Sequence, residues 1–282
     1  SGGLARRAWL KKQIQSKFPE AAVVLLDTGN YTDAPTAVGK AKTAALVEGM
    51  ARIGCAAAGI GERDLVLGYD EFVRRTAPAA FPLVSTNVVR SDTKEPAFRP
   101  WVVVEAPRGA GKPPVRVGVL SVVRFNPLFL KAGPEGTNLV IASPVDMVRR
   151  YIGEVRGASD VVVLLAAMSR DDAARIAREV PGIDLVAGAY GGALSRQEEA
   201  EGPTRIVYTQ NQGRRVGETR FFLDESGRIR SAESWMYFLS DRYPDDPETL
   251  RYVGDALAGL AGPAGKRPEA ASAAQGPAGP GP

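Results

Sequence analysis

The sequence contains no histidine among its 282 residues. Histidine is the commonest general base, the usual partner of a catalytic serine or cysteine, and the imidazole ligand of most zinc sites. Its absence excludes Ser–His and Cys–His catalysis and every metal site that needs imidazole. Sites that hold a metal ion through carboxylate oxygens alone remain open.

Cysteine is nearly absent as well, because Cys55 is the single one. One cysteine excludes an intrachain disulfide and any cysteine-cluster metal site. Cys55 begins an apolar segment, which predicts a buried, unreactive thiol. No apolar run reaches the roughly 18 residues of a membrane helix, so we expect no transmembrane segment. No signal peptide is present, although the start at Ser1 is compatible with the removal of one.

The sequence also lacks a block of basic residues. Its 36 Lys and Arg and 32 Asp and Glu are interspersed and leave a net charge of +4. No stripe of aromatic and basic residues accompanies them. We therefore expect no nucleic-acid polymer as a partner. A hydrophobic content of 44% is sufficient for a sizeable core.

Continuous apolar segments predict the strands of an α/β fold. Residues 22–26, 161–165 and 183–188 are apolar enough to be covered on both faces of a sheet. Residues 115–123 form a further strand, and helical periodicity fills much of the chain between the strands. After residue 205 the pattern changes to strands joined by short turns. This order favours mixed sheets with helices outside.

One loop combines glycine with charge at the end of such a strand. Residues 56–65 form an apolar run that breaks into Gly61, Glu62, Arg63 and Asp64. Polar functional groups of α/β folds lie in loops at the carboxyl ends of buried strands. We therefore expect the functional site at this loop.

The loop resembles the Gly-Asn-His-Glu/Asp-Phe loop of calcineurin-like metallophosphoesterases, specifically their 5′-nucleotidase branch. Gly61, Asp64 and Leu65 keep that pattern, whereas Glu62 replaces the asparagine and Arg63 the histidine. Further segments are similar to the family in the same order, namely residues 2–8, 25–30, 81–87, 161–169, 181–186 and 210–217. The resemblance implies a four-layer α-β-β-α sandwich of two mixed sheets. It also implies hydrolysis of nucleotides or other phosphate esters by two divalent metal ions.

The resemblance divides the chain into residues 1–262, a metallophosphoesterase-like domain, and residues 263–282. The family's first strand is missing or lies upstream of the chain, and the C-terminal nucleotidase domain is missing. Residues 263–282 form a Pro/Gly/Ala-rich tail that we expect to be disordered. The resemblance implies an exported, periplasmic or otherwise extracytoplasmic protein. If these residues are a fragment, a redox or membrane-anchored role could lie outside them.

The family's metal ligands carry over poorly to this sequence. The position of the family's bridging Asp holds Asn30. The loop Asn and loop His correspond to Glu62 and Arg63, and the strand-end His corresponds to Ala167. The closing pair of His corresponds to Tyr190 and Gly192. Asp27 lies beside the bridging position, and only Asp27 and Glu62 are weak metal candidates. Arg63 has no acceptor atom. A metal ion about 4 Å from the positive charge of Arg63 would be repelled by roughly 4 kcal/mol for each unit of its own charge.

The leading hypothesis is a degenerate member of the family, a pseudoenzyme without two-metal hydrolysis or a catalytic residue. We expect no cofactor, and either an unidentified protein partner or a small phosphorylated ligand. The residues of the former pocket are Asp27, Asn30, Glu62, Arg63, Asp64, Asn87, Ala167, Tyr190 and Gly192. For Asn87, Tyr190 and Gln210 we favour a plain structural hydrogen-bonding role over a ligand role.

The alternative hypothesis is a phosphoric-ester hydrolase, active in nucleotide catabolism, with an altered or single-metal site. Glu62, Asp64, Asp27 and Asp70 would supply carboxylates for one Mn, Zn or Mg ion. Arg63 would then hold a phosphate through two hydrogen bonds. Otherwise Arg63 pairs with Asp64 or Asp27 and merely fills a pocket that has lost its function.

Overall fold

A computed structural model describes residues 3–124, 139–190, 198–209 and 213–261. The helices are α1 (Leu4–Lys17), α2 (Ala37–Arg52), α3 (Tyr69–Thr76), α4 (Pro144–Ala158), α5 (Arg170–Glu179) and α6 (Pro247–Ala261). The strands are β1 (Leu25–Asp27), β2 (Cys55–Gly59), β3 (Leu83–Val84), β4 (Val88–Arg90), β5 (Trp101–Ala106), β6 (Val115–Val123), β7 (Leu139–Ile141), β8 (Val161–Ala167), β9 (Leu185–Tyr190), β10 (Glu198–Glu201), β11 (Thr204–Thr209), β12 (Arg215–Leu223) and β13 (Ile229–Phe238).

Two sheets dominate the fold. The larger has six strands in the order β10-β11-β9-β8-β6-β5, and the smaller has three in the order β1-β2-β3. In the larger sheet the edge strands β10 and β5 are antiparallel to their neighbours, and the inner strands are parallel. The smaller sheet is parallel throughout its described strands rather than mixed. Short pairs β4-β7 and β12-β13 complete the topology.

Three hydrophobic clusters separate four layers. The first joins α4 and α5 to one face of the larger sheet. The second joins α1, α2 and α3 to the smaller sheet. The third lies between the sheets, where Ala57 and Val84 of the smaller one meet Val119, Val163 and Leu165 of the larger one. The α/β class and the layered sandwich expected from the sequence are therefore confirmed.

Strand β8 explains why continuous apolar runs were a reliable signal. Leu164 belongs to the cluster under α4 and α5, whereas its neighbour Leu165 belongs to the cluster between the sheets. Successive side chains of a strand point to opposite faces. A strand covered on both faces is therefore apolar at every position, and all residues of β8 are buried.

One local prediction was wrong. The strand predicted over residues 22–26 begins only at Leu25, and it is half-buried. In helix α2, the small residues Gly39 and Thr43 are buried together with Val47 and Met50. Thr43 satisfies its hydroxyl by donating to the Gly39 carbonyl, at 2.9 Å, which lets a polar side chain face the core.

The C-terminal part of the described chain follows the predicted pattern. Strands β12 and β13 form an antiparallel hairpin whose turn contains residues 225–227. Helix α6 packs against α1 and α2. The helices within the described ranges are all too short or too polar to span a lipid bilayer. The predicted tail, residues 263–282, lies outside the described residues.

The core assignment predicts that Leu164→Ala is strongly destabilising. Leu164 is fully buried under α4 and α5, and truncating such a leucine costs about 3 kcal/mol of unfolding free energy. Leu257→Ala on α6 is the matched control, because Leu257 is 52% exposed, and we expect a loss below about 0.5 kcal/mol. Urea unfolding followed by circular dichroism measures both. Equal losses would contradict the layer assignment.

We also predict that Cys55 is unreactive in the folded protein. Burial, and secondarily the carboxylate of Asp27, raise the pKa of the Cys55 thiol from 9.0 to about 12. At pH 8 the thiolate population is then about a thousand-fold smaller than in the unfolded chain. Labelling with a chromogenic disulfide reagent should be slow in buffer and fast in urea. Rapid labelling of the native protein would show that Cys55 is accessible.

Candidate functional site

The site is built from the loops that follow β1 and β2. These strands are parallel neighbours, so their carboxyl ends meet at one edge of the sheet. Gly29 lies in the left-handed region with φ of +99°. A Cβ atom on Gly29 would lie 2.5 Å from the amide nitrogen of Gly61. Only glycine permits this approach, and the two loops are therefore in direct backbone contact.

The carboxylate of Asp64 holds both loops together. One of its oxygens, Oδ2, accepts the backbone N–H groups of Asn30 at 2.6 Å and Gly61 at 2.8 Å. The other, Oδ1, accepts the N–H of Thr32 at 2.9 Å. Asp64 is fully buried. A single buried side chain thus satisfies three backbone donors from two separate loops.

Burial and hydrogen bonding act in opposite directions on Asp64. Its desolvation raises the pKa of the carboxyl group, and the N–H donors of Gly61, Asn30 and Thr32 oppose that rise. Desolvation is the larger effect. The folded-state pKa of Asp64 therefore lies above its unfolded-state value. The protonated Asp64 then contributes to the free energy of unfolding. This contribution is fully present below the unfolded-state pKa and is lost as pH rises through the folded-state pKa.

Asn30 completes the loop-to-loop connection in the reverse direction. Its side-chain oxygen accepts the backbone N–H of Arg63 at 2.8 Å. Asn30 adopts φ of +65°, which asparagine tolerates better than most residues. The position that corresponds to the family's bridging aspartate therefore holds a structural hydrogen bond.

Glu62 forms an ion pair that connects the two sheets. The Nε atom of Arg124 lies 2.8 Å from Oε2 of Glu62, and Nη2 lies 3.2 Å from Oε1. The side chain of Glu62 is 10% exposed and that of Arg124 is 45% exposed. Arg124 directly follows β6 of the larger sheet, whereas Glu62 follows β2 of the smaller one. Both carboxylate oxygens of Glu62 are thus bound by one guanidinium group.

Asp27 and Arg63 do not form the ion pair that was expected from the sequence. Asp27 forms its ion pair with Arg7 of α1, at 3.1 Å, and accepts the backbone N–H of Gly29. The side chain of Arg63 is exposed. Among the described residues no carboxylate pairs with Arg63. The expected pairing of Arg63 with Asp64 or Asp27 is therefore wrong, because backbone N–H groups and Arg7 already occupy those carboxylates.

The remaining predicted positions lie on the larger sheet or near it. Ala167 ends β8, and its carbonyl accepts the N–H of Arg124 at 3.2 Å. Asn87 is fully buried, and its amide bonds both backbone groups of Val123 and the carbonyl of Ala142, which is a structural role. Tyr190 ends β9, and Gly192 and Gln210 lie outside the described residues.

Sequence reasoning missed the two arginines that neutralise the site carboxylates. Arg124 directly follows the predicted strand over residues 115–123, so the strand-end rule that selected the Glu62 loop would also have selected Arg124. Arg7 gave no comparable signal, because it lies on α1 and its partner Asp27 is 20 positions away. Only the packing of α1 brings the two side chains together.

Known proteins are similar to this chain in sequence over part of their length. No protein-family profile matches the chain. The uncharacterized metallophosphoesterase YunD of Bacillus subtilis is 22% identical over 250 residues, which are 87% of this chain and 52% of YunD. An apyrase of Aedes aegypti is 24% identical over 137 residues, which are 40% of this chain and 24% of that protein. The chain thus spans about half of YunD and a quarter of the apyrase.

Solved structures are similar over most of the chain. Sulfate thiohydrolase SoxB of Thermus thermophilus, with glycerol bound, superposes with a TM-score of 0.76 and 18% identity, covering 92% of this chain and 47% of SoxB. The calcineurin-like phosphoesterase YfkN of Bacillus subtilis gives 0.75 and 18%, covering 92% and 89%. A 5′-nucleotidase precursor of Thermus thermophilus gives 0.70 and 20%, covering 92% and 53%. The chain has the calcineurin-like phosphoesterase fold.

The donors at this site do not fit the two-metal centre that the phosphoesterase fold implies. Such a centre needs several anionic or imidazole ligands for each ion. Here Asp27 is paired with Arg7, Glu62 with Arg124, and Asp64 with backbone N–H groups. Across the described ranges, no cluster of three or more His, Cys, Asp or Glu side chains has the geometry to hold a metal ion. The described carboxylates of this site are thus engaged by groups of the chain itself.

The three hydrogen bonds of Asp64 predict that Asp64→Ala strongly lowers the free energy of unfolding. The variant leaves three N–H groups without their acceptor, and we expect a loss of about 3 kcal/mol in unfolding free energy. Asp64→Asn keeps one oxygen acceptor and should lose less. Asp70→Asn is the exposed control, with a change below about 1 kcal/mol. Urea unfolding measures all three, and a loss for Asp64→Ala as small as that of the control would contradict the assigned role.

Proposed function

We propose that this protein is a degenerate phosphoesterase-fold module that does not carry out two-metal hydrolysis and that acts by binding. The observation that carries the proposal is the ion pair of Glu62 with Arg124. Glu62 is the residue whose position and chemistry best match a family metal ligand. Both of its oxygens accept hydrogen bonds from one guanidinium group, whose positive charge neutralises the carboxylate in the place of a metal ion.

The charge balance supports the same conclusion. Three carboxylates, Asp27, Glu62 and Asp64, are matched at this edge by three guanidinium groups, of Arg7, Arg63 and Arg124. Two divalent cations would add four positive charges beside these arginines. At about 4 Å and an effective dielectric constant near 20, each pair of like unit charges costs roughly 4 kcal/mol.

The ligand classes that fit this proposal are a protein partner and a small phosphorylated molecule. The exposed guanidinium of Arg63 lies in the loop where the resemblance places phosphate chemistry, and guanidinium groups bind phosphate through paired hydrogen bonds. An extracytoplasmic location belongs to the same proposal and rests on the resemblance to exported nucleotidases. A nucleic-acid polymer is not part of it, because the charge is evenly distributed.

One observation favours a second candidate, a phosphoric-ester hydrolase with an altered or single-metal site. Arg63 has no carboxylate partner among the described residues, so it is available to hold a phosphoryl group. Under this candidate, Arg63→Ala weakens binding of inorganic phosphate or AMP at least ten-fold. Unchanged binding in Arg63→Ala would remove the candidate.

The proposal predicts that the wild-type protein neither takes up metal tightly nor turns over phosphate esters. Isothermal titration with Mn(II) and with Zn(II) should give no site with a dissociation constant below the millimolar range. Hydrolysis of AMP and of bis(p-nitrophenyl) phosphate should remain at the background rate with either metal. A purified 5′-nucleotidase assayed in parallel confirms that the assay detects activity. Stoichiometric metal uptake together with turnover would overturn the proposal.

A further inference from the structure

Helix α6 carries apolar residues on two faces. Its inner face packs against α1 and α2, where Tyr252 donates its hydroxyl to the carbonyl of Ala45 at 2.7 Å. On the outer face, Leu250 and Leu257 are 50% and 52% exposed. Because seven residues make about two turns of an α-helix, the two leucines lie on one line along the helix. Half of each leucine side chain therefore faces water.

Small residues lie beside this line. Gly254 and Ala258 are exposed and follow Leu250 at four and eight positions, so they share its side of the helix. A Cβ atom on Gly254 would meet no neighbouring element within 4 Å. Side chains this small permit a second helix to pack closely. We call Leu250, Gly254, Leu257 and Ala258 the outer seam of α6.

We propose that the outer seam of α6 is a self-association surface, on which α6 of a second copy of this chain packs in antiparallel orientation. A two-fold interface joins the same patch of both subunits. A two-fold axis near the middle of α6 places Leu250 opposite the partner's Leu257, and Leu257 opposite the partner's Leu250. Both half-exposed leucines are then covered at once.

Charge complementarity selects a second copy as the occupant of the seam. Arg251 and Asp255 are exposed, and at about 100° per residue they flank the same side of the seam. Within the described ranges neither side chain forms an ion pair. The antiparallel arrangement that pairs the leucines also brings Arg251 to the partner's Asp255, and Asp255 to the partner's Arg251. One orientation thus satisfies both the apolar contacts and the charges.

The size of the seam indicates a weak dimer. A single pair of helices with two leucines on each buries less than the roughly 1,200 Å² of a standard interface. We therefore expect a dissociation constant of about 100 µM. At the micromolar concentrations of a urea unfolding experiment the chain is then monomeric, and Leu257→Ala remains a valid exposed control there.

The experiment is sedimentation velocity of the full chain at concentrations from about 5 to about 500 µM. The weight-average mass of the wild type should rise from 29.9 kDa towards twice that value. Leu250→Glu should weaken dimerisation at least ten-fold, because it sets a carboxylate against the partner's Leu257. Its melting temperature should stay within about 2 °C of the wild type, since Leu250 is exposed.

Phe222→Glu is the matched control for the loss of an exposed apolar side chain. Phe222 is 47% exposed and lies on β12, and it receives the same charge as position 250. We expect the dissociation constant of this variant to equal that of the wild type. An effect as large as that of Leu250→Glu would show that association depends on exposed apolar area in general, which overturns the assignment to α6.

A charge exchange tests the orientation of the two helices. Arg251→Asp and Asp255→Arg, each alone, should weaken dimerisation about five-fold, because each sets like charges against each other across the two-fold axis. The double variant restores both pairs with the charges exchanged, and its dissociation constant should lie within about two-fold of the wild type. A double variant as weak as the single ones would contradict the antiparallel arrangement.

A wild type whose mass stays at 29.9 kDa over the whole concentration range would overturn the inference outright. None of these results touches the proposed function, because that proposal concerns the loops after β1 and β2. Conversely, metal uptake with turnover by the wild type would overturn the proposed function and leave the dimer of α6 in place.

Discussion

The site depends on one buried carboxylate that binds three backbone N–H groups. Asp64 reaches from the loop after β2 into the loop after β1 and satisfies donors in both. Leaving such donors unsatisfied in a buried position is costly. The close approach of Gly29 to Gly61 and the left-handed backbone of Asn30 lie beside this connection, and the hydrogen bond from the Arg63 N–H to the Asn30 side chain adds to it. The loops thus keep their shape through interactions internal to the protein.

Two acidic residues two positions apart have very different environments. Asp64 faces backbone dipoles and a fully desolvated interior, whereas Glu62 faces the guanidinium of Arg124. Asp27 faces a third environment, the guanidinium of Arg7. In each case, groups of the chain itself satisfy the carboxylate. This edge of the smaller sheet therefore carries two ion pairs and a set of backbone hydrogen bonds.

The elements that were predicted well are those with a strong local signal. Strand β6 has the predicted bounds, and β8 is apolar throughout because both of its faces are covered. Strand β1 was predicted too long, since apolar residues before Leu25 lie outside any strand.

The sequence by itself determined which donor types the chain offers, because these are set by its composition. Without histidine, it offers no imidazole ligand or imidazole base. Only the tertiary structure decided which charges meet. Arg124 and Glu62 are 62 positions apart and belong to different sheets. Their contact follows from the packing of those sheets, which no local pattern in the sequence encodes.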